Sequence, residues 1–445
     1  MPSHRRLTCK LNYFQSIILL FAMVILIGAA LLMLPISAQG HTVTPFHEAL
    51  FTATSAVCVT GLVVRDTASH WSAFGQAVLM VLIQIGGLGV ITVGASFSLL
   101  SGRRISLSQR GRMQEAMSAP KVGGIVRLTG FVIRSSLVME GIGALCMLPV
   151  FCRDFGVSGI WKAIFHSVSA FCNAGFDLMG TPDTPFVSLT AYRADPVISL
   201  TISALIVIGG IGFLTWDDVR TNRLCFHRYR LQSKVILTST ALLILLPTLY
   251  FFFFEFKGVT PQERLLLSLF QSITPRTAGF NTADYTSLSS SGRGLTILLM
   301  FIGGSPGSTA GGIKTTTIAV LVTNAFAVFR RQKSPEMFGR RMEEKAVHDA
   351  AAIFTLYLVL SLTGAFIIST VEGLPLSECL FETTSAIATV GLSLGLTPHL
   401  GIVSQGILIF LMFIGRVGGL TMIYAALSGS KSSVARLPQE RITVG

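Results

Sequence analysis

The chain has 445 residues, of which 51% are hydrophobic and only 12% are charged, and its mean hydropathy is +0.68. A soluble chain of this length carries a more charged surface, whereas here apolar runs of about 20 residues, enough to cross ~30 Å of hydrocarbon, recur along the sequence. Composition therefore excludes a soluble globular protein and predicts an all-α, multi-pass membrane protein. The formal net charge of +13 raises the question of a nucleic-acid partner.

The positions of the basic residues answer that question. They concentrate in five clusters separated by segments with few charges, and by the positive-inside rule such clusters lie in the cytoplasm. We expect both termini to be cytoplasmic, each interval to cross the membrane twice, and the charge to mark topology rather than nucleic-acid binding. The clusters are Arg5, Arg6 and Lys10; Arg103, Arg104, Arg110, Arg112, Lys121 and Arg127; Arg220, Arg223, Arg228, Arg230 and Lys234; Arg330, Arg331, Lys333, Arg340, Arg341 and Lys345; and Lys431, Arg436 and Arg441.

Between these clusters the same unit occurs four times. Each repeat has a first apolar span, M1, a shorter semi-polar segment, the pore helix, and a second apolar span, M2, so the sequence predicts eight transmembrane helices around a central pore. The repeats are residues 1–101, 102–222, 223–333 and 334–445, the last with the C-terminal tail. The predicted M1 spans are 13–34, 124–150, 234–256 and 350–371, and the predicted M2 spans are 73–100, 196–219, 294–329 and 402–427.

The four short segments are 45–61, 160–175, 261–279 and 375–391. About 12 residues of each can be helical, which gives ~18 Å, too short to cross the bilayer but suitable for a re-entrant half-helix. Prolines at 45, 261 and 375 suit a first helical position. An interfacial helix outside the membrane is the alternative, but four copies at matching positions favour the half-helix. Three of the segments have a carboxylate in the first turn, where it complements the helix dipole: Glu48, Glu263 and Glu378.

A glycine ends the turn that follows each half-helix. The turns 55–61, 169–175, 273–279 and 385–391 align without gaps, and their side chains differ while the glycine recurs. Glycine permits positive φ and close approach, so successive carbonyls can point at one axis and replace the hydration shell of a cation. We predict a cation filter formed by the backbone of Val59, Thr60, Gly61, Asn173, Ala174, Gly175, Thr277, Ala278, Gly279, Thr389, Val390 and Gly391.

An Ile-Gly pair recurs in the M2 spans, at Ile85, Ile208, Ile302 and Ile414. Small residues allow helices to pack closely in lipid, and we favour this interpretation for the first two copies. The third copy runs into a segment with many glycines and Pro306, which cannot be continuous helix.

Irregular backbone at membrane depth is tolerated where it is buried or lines a water-filled cavity. A phosphate-binding loop is the alternative, but Ile313 separates the glycine from the lysine and breaks that motif. We predict instead a flexible plug, or gate, made of Gly303, Gly304, Ser305, Pro306, Gly307, Ser308, Thr309, Ala310, Gly311, Gly312 and Lys314.

Two charged residues fall within the predicted spans. Arg416 replaces a glycine in the fourth M2, and a bare arginine at mid-membrane costs about 2.5–3.5 kcal/mol on insertion scales, so it requires carbonyl or carboxylate partners. It is interpreted as a structural clamp, as an electrostatic barrier beside the gate, or as both. Glu140 in the second M1 is either an ion-coupling residue or a helix-pairing residue.

Together, the four single-glycine turns, the glycine-rich break at 303–312 and Arg416 resemble the KtrB/TrkH/HKT superfamily of potassium transporters over nearly the whole chain, and within it the bacterial KtrB type. The resemblance implies K⁺ uptake through the bacterial inner membrane by a homodimer in lipid, with one pore per subunit and a cytoplasmic nucleotide-binding ring of KtrA-type regulatory subunits. It also implies that the broken third M2 is the gate and that Arg416 contributes to the barrier. Because all four filter glycines are intact, we expect K⁺ to be preferred over Na⁺.

Three mechanisms are candidates for this chain. A gated, channel-like translocator and a Na⁺-coupled K⁺ symporter fit the same fold, and the sequence leaves open whether Na⁺ is a coupled ion or an activator. An intramembrane enzyme would require a paired His/Glu or similar motif, and no HExxH occurs. The seven cysteines have no metal-ligand spacing. We therefore predict no enzyme activity, no cofactor in the chain, and no metal other than K⁺ at the filter.

Overall fold

The structure is a computed structural model that describes residues 13–90, 111, 114, 124–223, 225–332, 334–426 and 440. The first and last basic clusters, and most of the second, lie outside these residues. The helices are, in chain order, α1 Tyr13–Leu32, α2 Phe46–Cys58, α3 Thr67–His70, α4 Ala73–Leu88, α5 Ile125–Phe155, α6 Ser158–Phe171, α7 Pro196–Gly210, α8 Phe213–Asn222, α9 Leu231–Tyr250, α10 Pro261–Ile273, α11 Ser290–Phe301, α12 Thr315–Phe329, α13 Glu344–Glu372, α14 Leu376–Ile387, α15 Ile402–Val417 and α16 Gly419–Ala426. A hairpin of β1 Glu336–Met337 and β2 Arg340–Arg341 precedes α13.

Four described helices are long and apolar enough to cross a membrane: Phe14–Leu32, Ile125–Phe155, Leu231–Glu255 and Glu344–Glu372. They coincide with the four predicted M1 spans. Between 28% and 33% of each apolar window lies inside the protein, so most of these side chains face outward, as lipid-facing helices require. The bent pair α7 and α8 would make a fifth span. The total of eight spans and the repeat boundaries therefore stay predictions.

The four predicted half-helices are α2, α6, α10 and α14, with 13, 14, 13 and 12 residues. The second half of each is buried except for Val168 and Leu269, which are half-buried, and in α14 every residue from Phe381 to Ile387 is inaccessible to solvent. This burial excludes an exposed interfacial helix. Pro261 opens α10 as predicted, whereas Pro45 and Pro375 stand one residue before their helices. The carboxylates predicted for the first turns of α2, α10 and α14 lie there.

Every predicted M2 span is interrupted within the described residues, although the sequence analysis predicted a break in the third alone. The continuous helices expected in repeats 1, 2 and 4 are wrong: α4 ends at Leu88, α7 and α8 meet at 94°, and one glycine separates α15 from α16. The breaks lie at Gly89, Gly212 and Gly418, whose φ angles are +86°, +89° and +94°. Each stands three residues after the glycine of the Ile-Gly pair, where repeat 3 has Pro306. Glycine in this conformation ends a helix.

The glycine of the Ile-Gly pair allows M2 to lie against the end of the pore helix. In repeats 1, 2 and 4 a Cβ added there would overlap the carbonyl oxygen of the residue four positions before the filter glycine. The packing interpretation is thus confirmed for the first two copies and extends to the fourth. The pairs are Gly86 with Val57, Gly209 with Phe171, and Gly415 with Ile387.

We predict that Gly415→Ala destabilises the protein, because the added methyl group would overlap the Ile387 carbonyl oxygen and push α15 away from α14. Overpacking of this kind costs about 1–3 kcal/mol, and it should lower the melting temperature of the purified protein in detergent, followed by intrinsic fluorescence. Gly406→Ala on the same helix is the matched control, since nothing lies within 4 Å of its added Cβ. Equal melting temperatures for the two variants would contradict the packing role.

Candidate ion-binding site

The four glycines that end the predicted filter turns meet in a closed ring of backbone. A Cβ added at any of them would lie 2.7 Å or less from the carbonyl oxygen that precedes the filter glycine of the next repeat. The ring closes from the fourth repeat back to the first, so no larger residue fits at any of the four positions. The glycines and the carbonyls they approach are Gly61 and Ala174, Gly175 and Ala278, Gly279 and Val390, and Gly391 and Thr60.

The four turns share an unusual backbone conformation. The glycine φ angles lie between +70° and +93°, and the residue two positions earlier also has positive φ, between +51° and +69°. A left-handed residue other than glycine costs on the order of 1–3 kcal/mol and persists where its surroundings impose it. Its recurrence at one position in all four repeats indicates a turn selected for its backbone geometry. These residues are Val59, Asn173, Thr277 and Thr389.

A hydroxyl group near the end of each pore helix holds the turn in place. In repeats 1 and 4 the hydroxyl accepts a hydrogen bond from the N–H of the filter glycine at 3.0 Å. In repeats 2 and 3 it donates to the carbonyl of the residue after that glycine at 2.7 Å. Sequence reasoning missed this role, although serine opens three of the four seven-residue turns. The four side chains are Ser55, Ser169, Thr274 and Ser385.

A cavity of about 500 Å³ opens on one side of the ring. This is the side on which the chain continues after each filter glycine. All four filter glycines line it, together with the carboxylates Asp66, Asp177 and Asp284. Burial raises the pKa of the Asp177 carboxyl to about 6, so this group is largely ionised at neutral pH. Negative charge in a concave, partly enclosed space concentrates cations. The sequence analysis did not identify these carboxylates, because they do not recur at one position in all four repeats.

The predicted gate segment forms a loop between α11 and α12, on the pore-helix side of the ring. The Thr309 hydroxyl donates to the Phe171 carbonyl at 3.1 Å, and the Ser305 N–H donates to the Gly210 carbonyl at 3.0 Å. The Lys314 ammonium group donates to two carbonyls of the loop itself. These bonds attach the loop of repeat 3 to the pore helix and to the broken M2 of repeat 2.

Arg416 connects three repeats through its guanidinium group. It donates to the carbonyl oxygens of Gly86 and Gly87, at the end of α4, and to that of Thr309 in the loop. The predicted need for carbonyl or carboxylate partners is therefore met by carbonyls, and the geometry supports the clamp interpretation.

Glu140 pairs helices. Its carboxylate accepts a hydrogen bond from the Gln84 amide of α4 at 2.9 Å, and its backbone carbonyl accepts one from the Ser167 hydroxyl of α6 at 2.6 Å. It thereby joins the M1 of repeat 2 to the M2 of repeat 1 and to its own pore helix. Of the two interpretations of Glu140, these contacts support helix pairing.

Comparison with known proteins gives a consistent result. A family model described as TrkH, cation transport protein, matches residues 10–434. The chain is 40% identical to the potassium/sodium uptake protein NtpJ of Enterococcus hirae, over 99% of both chains. It is 39% identical to the Ktr system potassium uptake protein B of Bacillus subtilis, over 96% of this chain and 95% of that one.

The fold has a counterpart among solved structures. The crystal structure of the potassium transporter TrkH from Vibrio parahaemolyticus superimposes with a TM-score of 0.75, covering 95% of this chain and 86% of that chain. The two sequences are 18% identical, so this likeness concerns the fold.

Proposed function

The chain belongs to the TrkH family of cation transport proteins, and from this premise we propose that it carries K⁺ into a bacterial cell as a gated, channel-like translocating subunit. As a member of a family of ion transporters it is not an enzyme. The single observation that carries the proposal is the closed ring in which each filter glycine approaches the carbonyl oxygen of the next repeat.

In this mechanism a K⁺ ion enters the cavity beside Asp66, Asp177 and Asp284 and loses its hydration shell at the ring. Backbone carbonyls of the twelve filter residues would replace the water ligands. The half-helices α2, α6, α10 and α14 end at the ring and direct their partly negative C-termini toward it. Negative potential from the helix ends and carbonyls favours a cation over an anion, and no ionised side chain in the ring is needed.

The loop 303–312, with Lys314 and Arg416, is proposed as the gate. Its support is its position on the pore-helix side of the ring and its hydrogen bonds to Phe171 of repeat 2 and to Arg416 of repeat 4. Arg416 in turn binds the Gly86 carbonyl of repeat 1. Each of those bonds contributes about 0.5–3 kcal/mol, the ones from Arg416 being at the upper end, so the loop can release without unfolding a helix. The guanidinium of Arg416 would add a positive charge beside the path and oppose the passage of cations while the loop is in place.

A Na⁺-coupled K⁺ symporter on the same fold is the second candidate. The Enterococcus hirae relative is named a potassium/sodium uptake protein. That name supports a role for Na⁺ here, as a coupled, activating or transported ion.

The cellular arrangement is also proposed. The Bacillus subtilis relative is named as a component of a Ktr system, which supports assembly with a cytoplasmic regulatory ring of the KtrA type that binds nucleotide. The homodimer, the bacterial inner membrane and the cytoplasmic termini follow from the family resemblance and the distribution of basic residues.

The test is uptake of K⁺ or ⁸⁶Rb⁺ into proteoliposomes that contain the purified chain, with and without Na⁺. We expect K⁺-selective uptake by the wild-type chain. Gly391→Ser should take up K⁺ at least roughly tenfold more slowly, or with about tenfold lower selectivity, because its side chain would overlap the Thr60 carbonyl inside the ring. Uptake that requires a Na⁺ gradient would favour the symporter.

The control for backbone strain is Gly373→Ser. Gly373 also has positive φ, +68°, but nothing lies within 4 Å of an added Cβ. Its uptake should match that of the wild-type chain. Identical kinetics for Gly391→Ser and Gly373→Ser would contradict the filter assignment.

A second prediction concerns the gate. Arg416→Gln should raise K⁺ uptake about tenfold, because hydrogen bonds from a charged group contribute roughly 1.5–3 kcal/mol and their loss frees the loop. Amide hydrogen exchange over residues 303–314 should become faster in the same variant. Arg330→Gln, which removes an exposed cation beyond α12, is the control. Lower uptake by folded Arg416→Gln would show that the gate assignment is wrong.

A further inference from the structure

In addition to the turn hydroxyl groups described above, each pore helix has at least one further polar side chain that binds the segment after its own filter glycine. In repeat 1, Glu48 pairs with Arg65 at 2.8 Å, and the Arg65 side chain is 51% exposed. In repeat 2, the His166 ring nitrogen Nε2 accepts a hydrogen bond from the Leu178 N–H at 3.3 Å. In repeat 3, the Gln271 amide bonds to two side chains of the following loop. These three ties differ in chemistry, although each holds the segment after a filter glycine.

The tie in repeat 4 is a fully buried carboxylate. Glu382 is 0% exposed, and its Oε1 accepts hydrogen bonds from the Ser393 hydroxyl at 2.6 Å and the Leu394 N–H at 2.9 Å. Its Oε2 accepts one from the Thr397 hydroxyl at 2.6 Å. Ser393 and Leu394 are the second and third residues after the filter glycine Gly391, so these bonds act directly on the backbone that leaves the ring.

Glu382 and His166 occupy the same place in their repeats. Each stands nine residues before its filter glycine, and each accepts from the N–H three residues after it. Repeats 1 and 3 have Thr52 and Phe270 at this place. At this position, nine residues before the filter glycine, a carboxylate therefore stands in repeat 4 and in none of the other three.

A carboxylate in this position is costly to bury and is tolerated because donors surround it. A histidine already makes the equivalent backbone contact in repeat 2, so the contact itself does not require a carboxylate. In a low-dielectric interior with little ionic screening, a fixed negative charge lowers the energy of a nearby cation far more than it would in water. The feature left to explain is the choice of a carboxylate, and its charge would stabilise a cation in the ring.

We propose that Glu382 is a positioning residue that sets cation affinity and selectivity. Its hydrogen bonds hold the segment after Gly391, which keeps the Val390 and Gly391 backbone at the width suited to K⁺, and its charge strengthens cation binding in the ring. This inference rests on the proposed function, because it takes the ring as the ion-binding site.

The experiment compares purified wild type, Glu382→Gln, Thr397→Val and Glu378→Gln in proteoliposomes. For each, K⁺ uptake is measured as a function of K⁺ concentration and again with competing Na⁺. Glutamine keeps the size of the side chain but removes the charge and places an amide donor against donors. We expect Glu382→Gln to raise the KM for K⁺ and to reduce K⁺-over-Na⁺ discrimination, each about tenfold, which corresponds to roughly 1.4 kcal/mol.

The other variants separate the two roles. Thr397→Val keeps the charge and removes one hydrogen bond, so it should reduce discrimination while changing the KM less than Glu382→Gln does. Glu378→Gln makes the same charge change one turn earlier in α14, and its KM and discrimination should stay within about twofold of wild type. A general loss of stability would lower the maximal rate of every variant without shifting discrimination.

The outcomes are distinct. If the wild-type chain takes up K⁺ selectively and folded Glu382→Gln has the same KM and the same discrimination, the role of Glu382 is overturned and the proposed function stands. If Glu382→Gln does not fold, Thr397→Val decides, and unchanged discrimination in that variant overturns the proposal. Absence of uptake by the folded wild-type chain would overturn the proposed function, and this inference with it.

Discussion

The structure depends on one constraint: four stretches of backbone must approach each other closely at the centre of the protein without side chains between them. Glycine satisfies this at the point of contact, because a Cβ at Gly61, Gly175, Gly279 or Gly391 would overlap the neighbouring carbonyl. Buried N–H and C=O groups must also be paired. The turns meet this demand with hydroxyl groups from their own pore helices, such as Ser55 and Ser385, which bind the glycine N–H. Side chains thus support the ring from behind and leave its inner face to backbone.

The interrupted M2 helices follow from the same logic. A helix that ends early leaves carbonyl groups without intrahelical partners, and in a membrane protein these groups need other donors. Here the donors come from elsewhere in the chain: Arg416 binds the carbonyls at the end of α4, and the Ser305 N–H binds that of Gly210 at the end of α7. The break in repeat 2 therefore provides an acceptor for the loop between α11 and α12, and the break in repeat 1 provides acceptors for Arg416, which also binds the loop.

The repeats are alike in backbone and different in the chemistry behind it. Each pore helix binds the segment after its own filter glycine, yet the groups that make this contact are an ion pair near the surface, a histidine, an amide and a buried carboxylate. A ring built from one chain can differ at each quarter in this way, whereas a ring of four identical chains cannot. The asymmetry allows one quarter to hold the buried carboxyl group of Glu382 while the carbonyl geometry of all four is retained.

The sequence by itself determined the membrane class, the four M1 spans, the four short pore helices and the glycine positions, because hydrophobic length and a recurrent glycine are local properties that a linear pattern records. It also identified the need of Arg416 for carbonyl or carboxylate partners. The tertiary structure decided the rest. The breaks at Gly89, Gly212 and Gly418 could not be predicted, because a glycine in an apolar run fits either close helix packing or a helix break. The φ angle of the glycine distinguishes the two, and it is known only from the structure. Likewise Glu382 and His166 are ordinary polar residues in the sequence. Their contacts form only when the chain folds back and brings the segment after each filter glycine against them.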